Sequence, residues 1–182
     1  TVTEKLIDNS SVDTYVVTGD MDILQLVDDS TFVYAPKRSI SDIVIYNEQT
    51  VREKYDGLDP DQLIDYKALR GDPSDNIPGV KGIGDKTAIA LLKEFPTLNE
   101  LYAGYQKSNN IKPRIKNLLS EYKDDAYLSQ KLATIKLDVP VDFSLSNSEF
   151  TGVDQKSLIE VFQDLEFKSL LPKILDLETS LE

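Results

Sequence analysis

The spacing of apolar residues changes part-way along this chain of 182 residues. The first third contains three short runs rich in β-branched and aromatic residues, and each run predicts a strand, at 14–17, 32–34 and 43–46. From residue 59 onward the spacing becomes helical, with predicted segments at 63–69, 84–95, 97–104, 112–119, 121–134, 154–163 and 167–176. Strands followed by helices favour an α/β fold with a partial mixed sheet over a repeating βαβ array.

This order predicts two parts, a sheet-bearing part at 1–58 and a helical part at 59–182. An amphipathic segment from Thr1 to Ile7 is expected to pack on the sheet. The helical part opens with Asp59-Pro60-Asp61-Gln62, where a capping Asp precedes a proline and a Gln follows three residues after the cap. That combination predicts a helix start.

Cysteine and histidine are both absent from the sequence. Their absence excludes disulfides, thiol nucleophiles, histidine general bases and zinc sites built from these residues. Chemistry in this chain would therefore depend on carboxylates, hydroxyls, lysines or a hard metal ion. The sequence has no run of eighteen apolar residues and no apolar leader, so we expect a cytoplasmic chain with no membrane partner.

The charge is unevenly distributed. The net charge of −12 argues against a nucleic-acid partner, because phosphate contacts need cations. Between residues 81 and 116, however, seven basic residues face three acidic ones, a local balance of +4. Such a segment is typical of an anion-binding surface, although an unevenly charged, solvated helix face has the same composition. The basic cluster at 112–116 leaves both alternatives open.

Two acidic residues, Asp20 and Asp22, follow the first predicted strand within Gly19-Asp20-Met21-Asp22. Ligand sites in open α/β sheets lie beyond the carboxyl ends of strands, where both carboxylates could reach one cation. Without His or Cys, the fitting cation is oxygen-seeking, such as Mg2+ or Mn2+. A polar turn or a helix cap would explain the same pair.

A second acidic pair, Asp72 and Asp75, lies in the loop from Arg70 to Gly79 between two predicted helices. The loop is also rich in turn-forming residues, which a connection between helices needs in any case. Three glycines then precede the helix that opens with Lys86 and Thr87, so backbone N–H groups could face a phosphate there. The pattern is neither a Walker loop nor a dinucleotide fingerprint, and it favours contact with a nucleic-acid backbone.

At this point the sequence resembles the 5′ nucleases, the family that includes flap endonucleases, phage 5′ exonucleases and the 5′ nuclease domain of bacterial DNA polymerase I. The resembling stretches are Tyr15 to Leu26 and Leu63 to Phe95, and the likeness is most specific from Gly71 to Ala88. Phe32 to Tyr55 matches the spacing of the family, and Asp124 to Val139 resembles its later helical region.

The resemblance implies a PIN-like core with a mixed sheet, followed by a helix-turn-helix-like element at about 63–95 that grips duplex DNA and can hold K+. It implies hydrolysis of DNA phosphodiesters at 5′ ends and flaps, in replication and repair, by two divalent metals held by carboxylates. The matching catalytic and metal-binding positions are Asp20, Asp22, Asp72 and Asp75. The matching DNA-binding positions are Gly79, Lys81, Gly82, Gly84, Lys86 and Thr87.

The sequence also departs from the family pattern. Members of the family carry an Asp-bearing strand, a basic and aromatic arch and a glutamate-rich stretch ahead of the segment that matches Thr1. We therefore expect a two-metal site that is incomplete in this chain, and weak or absent cleavage by the chain alone. The expected partner is a 5′-flap or nicked duplex, with a polymerase as a candidate fusion partner.

Three interpretations follow from the sequence. The first is the downstream part of a metal-dependent 5′ nuclease domain. The second is a catalytically inert module that binds duplex DNA, and the third is an interaction domain with polar turns and no DNA function. Carboxylate substitutions distinguish the first two, because they should abolish cleavage only in the nuclease.

Overall fold

The fold is described here from a computed structural model, in which the described residues are 1–3, 12–36, 42–150 and 152–175. Three strands form a mixed sheet in the order β1-β2-β3: β1 is Thr14–Val17, β2 is Thr31–Pro36 and β3 is Ile43–Tyr46. β1 pairs parallel with β2, and β2 pairs antiparallel with β3. The three predicted strands and the mixed sheet are confirmed.

Helices dominate the rest of the described chain. Eight α-helices lie in the described ranges: α1 Glu48–Lys54, α2 Leu63–Arg70, α3 Asp85–Glu94, α4 Leu98–Gly104, α5 Pro113–Glu121, α6 Lys123–Ala133, α7 Gln155–Asp164 and α8 Leu171–Leu175. Short 3-10 helices occur at Met21–Leu26, Pro60–Gln62 and Ser146–Ser148. Within these ranges, every helix is too short or too polar to cross a lipid bilayer.

Two apolar clusters stabilise the first part of the chain. One packs the sheet against the Met21–Leu26 helix and α1, around Leu24, Val33 and Val51, all of which have no exposed surface. The other packs α2 against its helical neighbours through side chains such as Leu69 and Leu119. Burial of this apolar surface is the main stabilising contribution to the fold.

The described chain groups into two compact units, Thr1–Val141 and Asp142–Glu182. In the second unit α7 contacts α8, and the rings of Phe162 and Phe167 meet edge to face with their centroids 5.6 Å apart. The division of the chain into a sheet-bearing part at 1–58 and a helical part at 59–182 remains a prediction.

Some elements differ from their predicted bounds. The α1 helix was not predicted, because Val51 is its one buried residue and a single apolar position has no periodicity. The segment predicted at 167–176 narrows to α8 within the described residues. The helix predicted to start after Asp59 is present, but its first turn is a 3-10 helix with the expected capping box. Residues 4–7 of the predicted amphipathic segment lie outside the described residues.

Candidate metal centre and nucleic-acid interface

An acidic cleft of about 480 Å³ lies where two separate chain segments meet. One segment follows β1 and contributes Asp20 and Asp22, and the other follows α2 and contributes Asp72 and Asp75. All four predicted carboxylates therefore line one cleft, although about fifty residues of sequence separate the two pairs. The carboxyl end of β1 places the first pair, as expected for an α/β sheet.

Three of these carboxylates, from Asp22, Asp72 and Asp75, each place an oxygen within 4.8 Å of the other two. Asp20 lines the same cleft but has a different local role. Its Oδ1 accepts a hydrogen bond from the backbone N–H of Asp22 at 3.0 Å and caps the Met21–Leu26 helix. The structure thus brings three predicted ligands into one group, with Asp20 at its edge.

The loop after α2 holds Asp72 in place through local turns. Gly71 ends the helix with φ of +77°, in the left-handed region that glycine favours. Asp72 and Ile77 then exchange two backbone hydrogen bonds of 2.9 Å, which close the loop on itself. The carboxylate of Asp72 also accepts hydrogen bonds from the backbone and hydroxyl groups of Ser74, at 3.0 and 2.5 Å.

The segment after β1 is fixed by Gln25. Its side-chain amide donates to the carbonyl of Ala133 at 3.0 Å and accepts from the backbone N–H of Ile135 at 3.0 Å. Ala133 is the last residue of α6 and Ile135 lies just beyond it, so this one side chain ties the Met21–Leu26 helix to the helical part of the unit. The position of Asp22 is therefore set by a contact that spans more than one hundred residues of sequence.

Lys67, on the last turn of α2, is a residue of the cleft that the sequence did not predict. Its ammonium group contacts Asp22 and lies 2.9 Å from Oδ2 of Asp72. Burial lowers the pKa of Lys67, but the two carboxylates outweigh that effect and raise it. The sequence does show a basic residue five positions before Asp72, but it does not show that this side chain points toward the carboxylates.

The electrostatics of the cluster show an excess of negative charge. Burial raises the pKa of Asp72, but hydrogen bonds from Ser74 and Lys67 outweigh burial and lower this pKa to about 2. The charge of Asp22 contributes most to raising the pKa of Asp75. Lys67 therefore offsets the charge around Asp72, while Asp75 still experiences repulsion from its acidic neighbours.

This donor set fits a hard divalent cation. All its members are carboxylate oxygens, which Mg2+ and Mn2+ accept, and a cation would offset the repulsion that Asp75 experiences. The residues that could hold a metal are Asp22, Asp72 and Asp75, with Asp20 close by.

The glycine-rich turn between α2 and α3 follows directly after the loop that contributes Asp72 and Asp75 to the cleft. Gly79 and Gly82 adopt φ values of +63° and +89°, which non-glycine residues rarely adopt. The backbone N–H of Gly79 donates to the hydroxyl of Ser129 at 2.9 Å, a buried contact that joins the turn to α6. Sequence reasoning did not identify Ser129, because its partner is fifty residues away.

The residues predicted to contact DNA occupy this turn and the start of α3. Gly79 is buried in the turn, Thr87 is half-buried, and the remaining four are exposed: Lys81, Gly82, Gly84 and Lys86. Gly84 is the N-cap of α3, and its carbonyl accepts hydrogen bonds from the backbone N–H groups of Thr87 and Ala88 at 3.0 Å, so the exposed start of the helix presents the positive end of the helix dipole. This is a surface that can approach an anion.

Asp85 connects the turn to the acidic cleft. Its Oδ1 accepts hydrogen bonds from the hydroxyl of Tyr66 at 2.5 Å and from Nε of Arg70 at 2.7 Å. The Tyr66 hydrogen bond is the largest cause of a lowered pKa at Asp85. Tyr66 and Arg70 also line the cleft, so α2 contacts both candidate sites.

Comparison with known proteins decides the family. Residues 58–156 match the family described as 5′-3′ exonuclease, C-terminal SAM fold, and this region is over half of the chain. The chain belongs to this family. The predicted resemblance to 5′ nucleases is confirmed.

The relatives of this member of the 5′-3′ exonuclease family include two bacterial DNA polymerases I. It is 43% identical to DNA polymerase I of Bacillus subtilis (strain 168) over 159 residues, which is 87% of this chain and 18% of the polymerase. It is 45% identical to DNA polymerase I of Chloroflexus aurantiacus over 161 residues, which is 86% of this chain and 16% of the polymerase. The chain thus spans less than a fifth of the length of these relatives.

Solved structures share the fold of this chain. T5 5′-exonuclease with bound zinc aligns with a TM-score of 0.61 at 23% identity, over 72% of this chain and 46% of the exonuclease. The catalytic core of Rad2 in complex with a DNA substrate aligns with a TM-score of 0.54 at 18% identity, over 88% of this chain and 53% of the core. The predicted α/β nuclease fold is confirmed, and the helix-turn-helix-like element remains a prediction.

Proposed function

We propose that this chain is the downstream part of a metal-dependent 5′-3′ exonuclease and flap endonuclease, acting on 5′ ends and flaps of DNA in replication and repair. The observation that carries the proposal is the cluster of Asp22, Asp72 and Asp75, whose oxygens lie within 4.8 Å of one another. These carboxylates line a cleft to which α2 also contributes side chains, and the glycine-rich turn lies between α2 and α3. Membership of the 5′-3′ exonuclease family supports the assignment.

The proposed metal ligands are Asp22, Asp72 and Asp75, with Asp20 as a fourth, and the proposed ion is Mg2+ or Mn2+. A two-metal site, when occupied, supplies activation of water and stabilisation of the leaving oxygen. The chain's own side chains supply the negative charge of the site, and hydrogen bonds orient its carboxylates. Ser74 fixes one oxygen of Asp72, and the capping bond of Asp20 fixes the backbone ahead of Asp22.

The proposed DNA contacts belong to the glycine-rich turn. Its glycines leave room for a phosphate to reach the backbone N–H groups, and Lys81 and Lys86 add positive charge at the exposed side. Thr87 adds a hydroxyl in the first turn of α3, and the turn is also the proposed site of a K+ ion. Such contacts follow the sugar-phosphate backbone and carry no base specificity.

We also propose that the native partner domain is a DNA polymerase, as in the relatives named DNA polymerase I, and that the protein acts in the bacterial cytoplasm. This chain would supply the duplex-gripping part of the nuclease. Its charge distribution supports that role, because the basic segment from 81 to 116 stands apart from an otherwise acidic chain.

A second candidate function is a structure-specific duplex-binding module that does not cut DNA. The observation in its favour is Lys67, whose ammonium group already balances Asp22 and Asp72. Such a counter-ion reduces the repulsion among the carboxylates without a metal. Under this alternative the turn would bind DNA and the acidic cleft would have a structural role.

One gel experiment separates these two functions. A labelled 5′-flap duplex is incubated with the chain in Mn2+ or in EDTA, and both band shift and product are read. Because the site is incomplete in the chain alone, the nuclease proposal expects no more than weak product, in Mn2+ and not in EDTA, and Asp72→Asn is expected to abolish that product while sparing or tightening DNA binding. The matched control is Asp61→Asn, an exposed acid on the Pro60–Gln62 helix that lies outside the cleft.

The DNA-binding variants complete the test. Lys81→Ala and Lys86→Ala are expected to weaken the band shift and to reduce its salt dependence under both functions. A shift without product in Mn2+ would overturn cleavage by this chain and support the binding module. Equal binding by wild type and both lysine variants would overturn the proposed DNA-binding turn.

A further inference from the structure

A second concave surface lies next to the glycine-rich turn, and it shares no lining residue with the acidic cleft. This groove, of about 580 Å³, lies between α3 and the start of α5. We call it the α3–α5 groove; its lining includes Lys86, Thr87, Ile111, Lys112, Arg114 and Ile115. Lys86 and Thr87 also belong to the proposed DNA-binding turn, so the groove begins where that turn ends.

The groove gathers cations that lack acidic partners. Lys86, Lys112 and Arg114 are all exposed. Among the described residues, none of these three cations has a carboxylate oxygen within 4.0 Å. Five other described cations of the same unit form such ion pairs, namely Arg52, Lys67, Arg70, Lys93 and Lys136. Others, such as Lys81 and Lys107, form none, so the groove is distinguished by having three unpaired cations around one concave surface. In a chain of net charge −12, three unpaired cations around one groove indicate an anionic ligand.

The start of α5 strengthens this argument. Lys112 is the N-cap and provides no side-chain hydrogen bond to the helix, Pro113 follows it, and the first turn contains no acidic residue. Two cations therefore stand at the positive end of a helix, which is electrostatically unfavourable without an anion. The N-terminus of α3 faces the same groove through Lys86 and Thr87.

The remaining lining fits a nucleic-acid backbone better than a small anion. Ala90 is exposed and Ile115 is half-buried, and these two residues give the groove an apolar surface that can contact the sugar face of a backbone. Glu94 is the one acid in the lining, and its Oε1 already accepts a hydrogen bond from the Ser108 hydroxyl at 2.5 Å. That bond orders the loop ahead of Ile111 and so helps to form the wall of the groove.

We infer that the α3–α5 groove is a second phosphate-binding site. It binds backbone phosphates of the same DNA duplex, next to the phosphates that contact the glycine-rich turn. The inference rests on the proposed DNA-binding function of that turn. It gives Lys112 and Arg114 a role in DNA affinity that is separate from metal binding and cleavage.

The test is a salt series of duplex binding with the whole chain, measured by fluorescence anisotropy in Ca2+ so that the DNA stays intact. The double variant Lys112→Ala with Arg114→Ala is compared with wild type and with Lys93→Ala with Lys136→Ala. The control pair removes the same charge from residues that form ion pairs outside the groove. Circular dichroism checks folding, and a Lys112→Gln with Arg114→Gln variant repeats the test with longer polar side chains.

We expect the slope of log affinity against log salt to fall by about 0.9 for each lost phosphate contact in the groove variants, and the control pair to keep the wild-type slope. If the groove variants keep the wild-type slope while Lys81→Ala lowers it, this inference is wrong and the proposed turn stands. If the wild-type chain fails to bind the duplex at all, the proposed function fails, and the inference fails with it. An equal fall in slope for the control pair would also overturn the inference, because it would show a general charge effect.

Discussion

The ammonium nitrogen of Lys67 lies 2.9 Å from Oδ2 of Asp72. Lys67 also pairs with Asp22, so one side chain of α2 joins the two segments that supply the proposed metal ligands. Without that charge the carboxylates would repel one another. The same ammonium group competes with a divalent cation, because both offset the same negative charges.

Substitution Lys67→Met is therefore expected to raise the affinity of the chain for Mn2+ roughly tenfold, since a positive charge next to the proposed metal position disappears. Titration of Mn2+ followed by electron paramagnetic resonance measures this affinity directly and needs no cleavage. Lys93→Met, which removes an exposed lysine paired with Asp56, is the matched control and should leave the affinity unchanged. Unchanged or weaker Mn2+ binding by Lys67→Met would show that Lys67 does not compete with the metal.

Asp72 gives a prediction for the pH dependence of stability in EDTA. Its folded pKa of about 2 lies below the unfolded value of about 3.9, so its ionised form stabilises the fold above about pH 4. That contribution is lost as the pH falls from about 4 to about 2. The Asp72→Asn variant lacks it, and we expect the variant to be about 2 kcal/mol less stable than wild type at neutral pH.

The measurement is urea unfolding of both proteins across this pH range. The difference in free energy of unfolding should shrink below about pH 4, because wild-type Asp72 then also loses its charge. A difference that stays constant down to about pH 2 would mean that the charge of Asp72 does not contribute.

The sequence predicted the parts of the site that depend on local order. Asp20 and Asp22 were identifiable because they follow a buried strand, and Asp72 and Asp75 because they lie in a loop of turn formers between helices. Short-range chemistry governs these features, and it can be inferred from neighbouring residues.

The sequence could not predict partners that are distant in the chain. Lys67 faces Asp22 across 45 residues, and Ser129 faces Gly79 across 50. Such contacts depend on how α2 packs against the 3-10 helix and α6, which periodicity does not specify. The α1 helix did offer a local indication, since Asn47 and Thr50 form a capping box at its start.

Asp65 provides a prediction about the helical core. This buried carboxylate, 8% exposed, accepts a hydrogen bond from the backbone N–H of Leu98 at 2.7 Å and another from Gln130 at 2.6 Å. It thereby ties α2 to the start of α4 and to α6. Because Asp65→Ala leaves the buried N–H of Leu98 and the half-buried amide of Gln130 unpaired, we expect a loss of about 3 kcal/mol in the free energy of unfolding.

Urea denaturation measures this loss, with Asp61→Ala as the control because Asp61 is exposed on the neighbouring turn. The Asp61 variant should stay within about 0.5 kcal/mol of wild type. Equal stability of the two variants would show that solvent or other groups replace Asp65 as the acceptor.

Gly79 and Gly84 give a matched pair of substitutions within the proposed DNA-binding turn. A Cβ at Gly79 would lie 2.2 Å from the backbone nitrogen of Gly71, and the residue has φ of +63°. A Cβ at Gly84 would meet nothing within 4 Å. Gly79→Ala is therefore expected to lose at least about 3 kcal/mol of stability, because backbone atoms cannot yield to the added methyl group.

Gly84→Ala is expected to change stability by less than about 1 kcal/mol, since an N-cap glycine contributes no side-chain bond that alanine would lose. Thermal and urea unfolding followed by circular dichroism measure both variants. If Gly79→Ala unfolds at the wild-type urea concentration, the close approach of the turn to the end of α2 is not a feature of the protein in solution. If both variants lose stability equally, backbone freedom in the turn matters more than the contact between Gly79 and Gly71.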